Sequence, residues 1–116
     1  MTWKDKFKED SELILATSSK NGEPNAIIAV SLGFMDDKLI FADCHMNNTI
    51  KNIKENPLIS VVGGYYRVNG KVELFQKGKY YDYCVEKSEG YKVNNALVVT
   101  IDSVFEFDKM ETIYER

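Results

Sequence analysis

Short apolar runs alternate with polar turns along this chain, and most of the runs have the length of β-strands. The predicted strands are residues 11–19, 24–33, 38–42, 58–62, 66–75 and 95–107. Asn21-Gly22 and Asp36-Asp37 connect neighbouring strands closely, and we expect Asn21-Gly22 to form a type I′ turn. Gly70 interrupts a strand in the way that marks a bulge or a sharp bend. These connections predict an antiparallel meander.

Helical spacing of apolar residues is confined to a few short segments. Thr2–Asp10 has Trp3 and Phe7 four positions apart, with Thr2 as a possible cap. Lys77–Ser88 has a stripe of Tyr80, Tyr83 and Cys84, and we expect this stripe to pack on the sheet. The remaining tail to residue 116 is polar and is expected to lie over the surface. The chain therefore reads as an α+β, mainly β domain over residues 1–116: an antiparallel six- to seven-stranded barrel with two or three short helices.

The stretch Leu39–Pro57 reads as a buried strand, a polar turn and a short helix. Asn47, Asn48 and Thr49 are residue types that cap helix starts, and Ile50 follows them at the beginning of an apolar helical spacing. A strand that leads to an exposed helix N-terminus presents free N–H groups and the positive end of the helix dipole. This junction is either an anion-binding site or an ordinary capped helix start.

The charge balance excludes several classes of function. The 116-residue chain has a net charge of −3, and its thirteen lysines are scattered, which argues against broad nucleic-acid binding. No apolar stretch is long enough to span a membrane, and the N-terminus lacks the apolar core of a signal peptide. We therefore expect a cytoplasmic protein without a nucleic-acid or membrane partner.

The two cysteines and the single histidine do not form a recognisable metal site. Cys44 and His45 are adjacent, so on an extended chain their side chains point in opposite directions. No further histidine is available to complete a zinc site, and Cys84 lies alone. We expect no metal and no disulfide framework.

Four segments in order carry a resemblance to a known family. They are Leu15-Ala-Thr-Ser-Ser-Lys-Asn-Gly-Glu-Pro-Asn, the strand to Ser31, Leu39–Pro57 and Tyr66-Arg-Val-Asn-Gly-Lys-Val-Glu. Together they resemble the FMN-binding split-barrel family, which includes pyridoxamine 5′-phosphate oxidase and small bacterial FMN-binding proteins. The resemblance covers roughly residues 12–107 and implies a split β-barrel.

The resemblance also implies a cofactor and a partner. In that family the barrel forms a homodimer, and FMN lies in a groove between the subunits. The flavin ring would rest on the strand of Ile28, Ala29, Val30 and Ser31. The phosphate would lie at the turn of His45, Met46, Asn47, Asn48 and Thr49, and Asp43 and Cys44 would flank the polar edge of the ring or the ribityl chain.

One position departs from the family pattern. Members commonly have a basic residue where this chain has Asn48 or Thr49, and a cation there makes a charge-assisted bond to phosphate. Arg67, Lys71 or Lys51 would have to supply the missing charge, and Arg67 is the first choice among them.

The resemblance predicts an FMN flavoprotein that works as an oxidoreductase or an electron carrier, with no catalytic residue identified. The alternative is a non-enzymatic module of the same fold. Such a module would store flavin, carry haem or a deazaflavin, or act as a ligand-free interaction domain.

Overall fold

A computed structural model describes residues 2–116, so Met1, the first residue of the expected domain, lies outside it. The strands are β1 (Glu12–Ser18), β2 (Pro24–Val30), β3 (Phe34–Met35), β4 (Lys38–Asp43), β5 (Leu58–Gly63), β6 (Tyr66–Phe75), β7 (Asn95–Glu106) and β8 (Glu111–Glu115). The helices are α1 (Asn47–Glu55), α2 (Lys79–Lys87) and a short 3₁₀ helix, Trp3–Lys6. The mainly β fold expected from the sequence is confirmed.

All eight strands belong to one antiparallel sheet, in the order β2-β1-β5-β6-β7-β4-β3, with β8 paired to β7. β2 therefore pairs with β1 on one edge only. The end of β4 and the middle of β2 nevertheless line a common groove, so the sheet curls until its two ends approach each other. The barrel is split at this point, and the split holds the candidate site.

Alternation along the strands separates two apolar clusters on opposite faces of the sheet. One cluster fills the barrel and includes Leu13, Leu15, Leu39, Phe41, Val61, Val68, Leu97, Val99 and Val104, all almost completely buried. The other joins α2 to the outer face of β4 and β7 through Ile40, Cys84, Val93, Ala96 and Val98. The hydroxyl of Tyr83 donates to the carbonyl of Leu32 at 2.6 Å, so the α2 stripe packs on the sheet as expected.

A β-bulge confirms the irregularity expected at Gly70. On β7, Ser103 pairs with Asn69 and Ile101 pairs with Gly70, so Asp102 has no partner on β6. A Cβ added to Gly70 would lie 2.2 Å from the carbonyl oxygen of Thr100. The two backbones can approach this closely only because residue 70 has no side chain.

The structure confirms the tight turn expected at Asp36-Asp37 and differs from the expected turn at Asn21-Gly22. Asp36 and Asp37 both have positive φ, 55° and 62°, so the type I′ geometry occurs there. In the first hairpin only Gly22 has positive φ, and the loop spans residues 19–23. The hydroxyl of Ser19 accepts the N–H groups of Asn21 and Glu23, and these bonds stabilise the longer loop.

Both ends of the chain also differ from expectation. The expected helix over residues 2–10 is only the 3₁₀ helix Trp3–Lys6, and Thr2 makes no side-chain cap bond. Phe7 leaves the helix and is completely buried in the barrel core, so core packing overrides the helical pattern. The polar tail was expected over the surface and instead forms β8. All of the β8 side chains are exposed, so backbone pairing holds the strand without a burial signal in the sequence.

Candidate functional site

The turn after β4 is fixed by the buried carboxylate of Asp43. Its Oδ1 accepts the Met46 N–H at 2.8 Å, and its Oδ2 accepts a bond from the Asn95 side chain at 2.8 Å. The Asp43 carbonyl also accepts the Asn94 N–H. Asp43 is only 3% exposed, so these bonds are shielded from water. The carboxylate therefore holds the turn in place and does not face the groove.

Helix α1 begins at this turn without a side-chain cap. Met46 occupies the N-cap position, and none of the side chains expected to cap the helix does so. That expectation was wrong because Asn47, Asn48 and Thr49 already lie in the first helical turn. Within residues 2–116 their N–H groups have no acceptor, as the first turn of an uncapped helix requires. The helix N-terminus is thus an open set of donors.

Thr49 connects this helix start to the opposite wall of the split. Its side chain is buried, and its Oγ1 accepts a hydrogen bond from Asn25 Nδ2 at 3.2 Å. Asn25 is on β2, so the bond crosses the groove and sets the distance between helix and strand. The sequence prediction missed Asn25. Its position in the inward-facing alternation Asn25-Ile27-Ala29 is the signal that could have identified it.

The unpaired edge of β2 forms the other wall. The Ser31 N–H donates to the Ser11 carbonyl at 2.8 Å, so the backbone groups of Ser31 face β1. Along two antiparallel strands, residue pairs that exchange backbone hydrogen bonds alternate with pairs that do not. The backbone groups of Ala29 therefore also face β1. Those of Ile28 and Val30 face the unpaired edge. This edge offers donors and acceptors to a planar polar molecule.

Between the two walls lies a groove of about 560 Å³. It brings together nine of the predicted site residues: Ile28, Ala29, Val30, Cys44, His45, Met46, Asn47, Asn48 and Thr49. Asn25, Ile27 and Ala42 complete its lining. The volume falls within the range of about 300–1,000 Å³ that is usual for small-molecule sites. The groove has apolar strand residues at one end and the helix N-terminus at the other.

Three predicted site residues do not line the groove. One is Asp43, described above. Ser31 is completely buried, where its hydroxyl donates to the Phe7 carbonyl at 2.7 Å and accepts the Gly33 N–H at 2.9 Å. Ser31 therefore connects β2 to the N-terminal segment.

Arg67, the third, lies far from the turn within its own chain. It pairs with Phe105, whereas the turn residue Asp43 pairs with Asn95, ten positions away along β7. That separation is about 30 Å along the strand. The guanidinium lies 4.9 Å from the centre of the Phe105 ring, and within residues 2–116 its buried Nε has no hydrogen-bond partner.

The cysteines do not provide a nucleophile to the groove. Burial and the nearby Asp43 carboxylate raise the pKa of the Cys44 thiol. Burial raises the pKa of Cys84 to about 12. Both thiols therefore stay protonated near neutral pH, and a protonated thiol is a poor nucleophile and a poor metal ligand. Within residues 2–116 no group of three or more His, Cys, Asp or Glu side chains is placed to hold a metal.

No helix in the described part of the chain has the length and apolar character needed to cross a membrane.

The sequence matches a family model over nearly its whole length. Residues 3–108 match the model described as pyridoxamine 5′-phosphate oxidase. An uncharacterized protein of Methanocaldococcus jannaschii is 28% identical over 112 residues, which cover 86% of this chain and 75% of the relative.

Solved structures share the fold at low sequence identity. HupZ of Group A Streptococcus has a TM-score of 0.80 at 19% identity, covering 89% of this chain and 90% of HupZ. An FMN-binding protein from Syntrophomonas wolfei has a TM-score of 0.70 at 19% identity, covering 90% of this chain and 78% of that protein. The heme storage protein HutZ from Vibrio cholerae has a TM-score of 0.69 at 12% identity, covering 89% of this chain and 88% of HutZ. An F420 reductase is also similar, with a TM-score of 0.67.

These structural likenesses show the fold, and the family model adds a match over residues 3–108. The split between β2 and the start of α1 agrees with both. The chain belongs to the pyridoxamine 5′-phosphate oxidase-like family of FMN-binding split barrels.

Proposed function

We propose that the groove binds FMN, that two copies of the chain enclose it as a homodimer, and that the loaded protein is an oxidoreductase or an electron carrier. The observation that carries this proposal is the open set of N–H donors at Asn47, Asn48 and Thr49, at one end of the groove. A helix N-terminus with free donors favours a phosphate through its hydrogen bonds and its dipole.

The residues present fit the three parts of FMN. The free N–H groups of the helix suit the phosphate, and the unpaired edge at Ile28 and Val30 suits the polar edge of a flavin ring. The apolar side chains of Ile27 and Ala42 suit the body of the ring. Bound FMN supplies one- and two-electron transfer. The chain orients the cofactor: the bond between Asn25 and Thr49 holds the two walls at a fixed separation, and Asp43 anchors the turn before α1.

Lys51 is the cation best placed to replace the basic residue that Asn48 and Thr49 lack. It lines a cavity of about 260 Å³ that adjoins the groove, together with Asn48 and Asn25. Helical side chains lean toward the N-terminus of their helix, so the Lys51 amine can reach the first turn. We therefore assign to Lys51 the positive charge that would face the phosphate. Arg67, which lies far from the turn, is assigned to the subunit interface.

FMN is expected to bind about 10- to 100-fold more tightly than riboflavin, because a charge-assisted bond to phosphate contributes about 1.5–3 kcal/mol. Titrating the cofactor-free protein while following the quenching of flavin fluorescence measures both affinities. Lys51→Gln should lower the affinity for FMN and leave that for riboflavin unchanged.

Lys54→Gln is the matched control, because it makes the same change on an exposed residue at the other end of α1. It should change neither affinity. Equal binding of FMN and riboflavin by the unmodified protein would show that the helix N-terminus is not a phosphate site. Binding of neither flavin would rule out the proposed cofactor.

The proposal of a homodimer is supported by a largely apolar face outside the barrel. Ile28, Ile14, Val62 and Arg67 are neighbours in one row across β2, β1, β5 and β6. Ile28 is 73% exposed and Ile14 is 43% exposed. Such a row of three apolar side chains ending at an arginine, beside the proposed cofactor groove, suits an interface between subunits.

Ile14→Lys is expected to convert the dimer to a monomer, because the symmetric interface would bury two unpaired ammonium groups. Sedimentation velocity over a range of concentrations measures the change. Val85→Lys is the control, since Val85 is 45% exposed on α2 and lies away from this face. An Ile14→Lys protein that sediments like the unmodified protein would place the interface elsewhere.

Haem is the second candidate ligand. His45 and Met46 both line the groove, and both are residue types that bind haem iron. The similar structure of HutZ is described as that of a heme storage protein. Adding haem to the cofactor-free protein tests this candidate. If the absorption spectrum of the bound haem differs between the unmodified protein and His45→Ala, the result would favour a haem carrier over a flavoprotein.

A further inference from the structure

A second cavity, of about 530 Å³, lies at the other end of β4 from the groove and shares no lining residue with it. Its lining comes from segments distant in the sequence, among them Trp3, Lys38 on β4, Ile101 on β7 and Tyr114 on β8. The cavity therefore exists only in the folded protein. Its volume is close to that of the groove.

A gap in the pairing of β7 borders this cavity. On one edge of β7, β4 pairs only as far as Val99, and β8 pairs only from Ser103. Residues 100–102 lie between these two partners, which leaves about 10 Å of strand edge without a neighbouring strand. An open edge of this length has room for one small molecule beside the sheet.

The backbone of Ile101 faces this gap. The carbonyl oxygen of Thr100 points to β6, since a Cβ added to Gly70 would meet it. Successive residues of a strand direct their backbone groups to opposite edges, so the N–H and C=O of Ile101 point to the edge that β4 and β8 leave open. Within residues 2–116 neither strand pairs with Ile101, and the Arg116 N–H at this edge donates to the Asp102 carbonyl instead, at 2.8 Å.

These two backbone groups are shielded from bulk water. Ile101 as a whole is only 7% exposed, and its side chain belongs to the barrel core. Buried N–H and C=O groups are almost always paired, because an unpaired group costs as much as a lost hydrogen bond. A donor and an acceptor side by side therefore suit a ligand that offers an acceptor and a donor side by side, as a cyclic amide does.

Two aromatic rings lie on the inner face of the sheet at this gap. Tyr114 pairs with Val104, whose side chain is completely buried in the barrel, so the Tyr114 ring lies on the same face. The ring of Trp3 lies 6.4 Å from that of Tyr114. Trp3 also makes edge contacts with Phe7 and Phe34, at 5.8 Å and 6.2 Å between centroids. The fold thus holds the rings in position, and they offer a planar molecule an apolar contact at little cost in conformational entropy.

The charged side chains around the cavity favour a neutral ligand. Lys38 directs its amine to the Tyr80 ring, which belongs to the cluster on the opposite face of the sheet from the two rings. Arg116 is exposed to water, so solvent screens its charge. Both acidic side chains of the lining are paired with lysines, Asp36 with Lys79 and Asp37 with Lys4.

We propose that this gap binds a neutral planar heterocycle that carries a cyclic amide. The amide C=O accepts the Ile101 N–H, the amide N–H donates to the Ile101 C=O, and the ring system lies against Trp3 and Tyr114. The ligand thus takes the place of the missing strand neighbour. The site shares no lining residue with the FMN groove, so binding there does not depend on the cofactor.

2-Quinolone, a flat bicyclic lactam, is the probe. Trp3 is the only tryptophan, so a ¹⁵N-labelled protein has a single indole signal. 2-Quinolone should shift this signal in a saturable way and move the Ile101 amide proton downfield, with or without FMN, because a new hydrogen bond forms there. N-Methyl-2-quinolone keeps the rings and the carbonyl without the donor, and should bind about tenfold more weakly. 2-Piperidone keeps the amide without the planar ring system and should saturate neither signal.

Tyr114→Leu should weaken the binding of 2-quinolone about threefold and leave the ratio between the two quinolones unchanged. Tyr91→Leu is the matched control, because Tyr91 is 74% exposed and lies outside the cavity, and it should change nothing.

Equal binding of 2-quinolone and its N-methyl form would overturn the amide pairing. A static Ile101 amide with shifts at Ile28 and Val30 would place the probe in the groove and overturn the site. Unchanged affinity in Tyr114→Leu would overturn the role of the rings. The comparison of the two quinolones needs no variant, so it stands even if a variant misfolds.

Discussion

Replacing Asp43 with Ala is expected to lower the free energy of unfolding by about 3 kcal/mol and to weaken FMN binding more than riboflavin binding. The carboxylate accepts the Met46 N–H and an N–H of the Asn95 side chain, and it is 3% exposed. Alanine leaves both donors buried without an acceptor, and each unsatisfied donor costs about 1–3 kcal/mol. The turn that precedes α1 then loses its anchor, so the phosphate end of the groove suffers most.

Asp43→Asn distinguishes the effect of losing the hydrogen bonds from the effect of losing the side chain. The amide oxygen still accepts one bond, and a rotation of the Asn95 amide restores the second, so we expect a cost of about 1 kcal/mol. Asp108→Ala, on an exposed acidic residue, should change stability by less than about 0.5 kcal/mol. Urea unfolding measures the three stabilities, and flavin titrations of the folded variants measure binding. An Asp43→Ala protein as stable as the Asn variant would contradict the proposed anchor.

Replacing Gly70 with Ala is expected to lower the free energy of unfolding by more than about 4 kcal/mol, enough to unfold many proteins of this size. The added Cβ would lie 2.2 Å from the Thr100 carbonyl oxygen, which is a backbone atom and cannot rotate away. Either β6 must separate from β7 or the bulge at Asn69 must shift, and both changes break ladder hydrogen bonds.

Gly22→Ala is the matched control for this substitution. Gly22 has φ +86°, and its added Cβ would meet no atom within 4 Å, so only backbone strain of about 1 kcal/mol is expected. Thermal and urea unfolding compare the two variants. Similar losses at the two glycines would show that steric contact with β7 does not decide the effect at position 70.

Much of the fold follows from local patterns in the sequence. Leu13 and Leu15 alternate with polar or exposed neighbours on β1, and this period of two predicts a half-buried strand. β8 has no such pattern because all of its side chains are exposed, and only backbone pairing with β7 holds it. The 3₁₀ helix is short because the barrel core takes up Phe7. Backbone pairing with a distant strand and the packing of Phe7 in the core both depend on the folded chain, so a local pattern does not reveal them.

The candidate site was predictable to a similar extent. The order of strand, polar turn and helix places residues 44–49 at one end of a groove, and the structure brings them to Ile28, Ala29 and Val30. Asn47 and Asn48 are polar residue types that predict hydrogen bonding near a helix start. A shift of one residue in that start decides whether such a side chain caps the helix. The orientation of Ser31 and Asp43 depends on partners more than twenty residues away or on the opposite strand. The resemblance gives the right region, and the tertiary contacts decide the individual roles.

The unpaired edge of β2 also bears on the aggregation of this protein. An edge strand with exposed Ile28 and Val30 is a template to which a strand of another chain can add, and this is the first step of many aggregation reactions. A ligand that fills the groove would cover this edge and block the addition of another strand. Cells that make the chain faster than they supply its ligand would therefore accumulate aggregate, so the concentration of the small molecule would set the yield of usable protein.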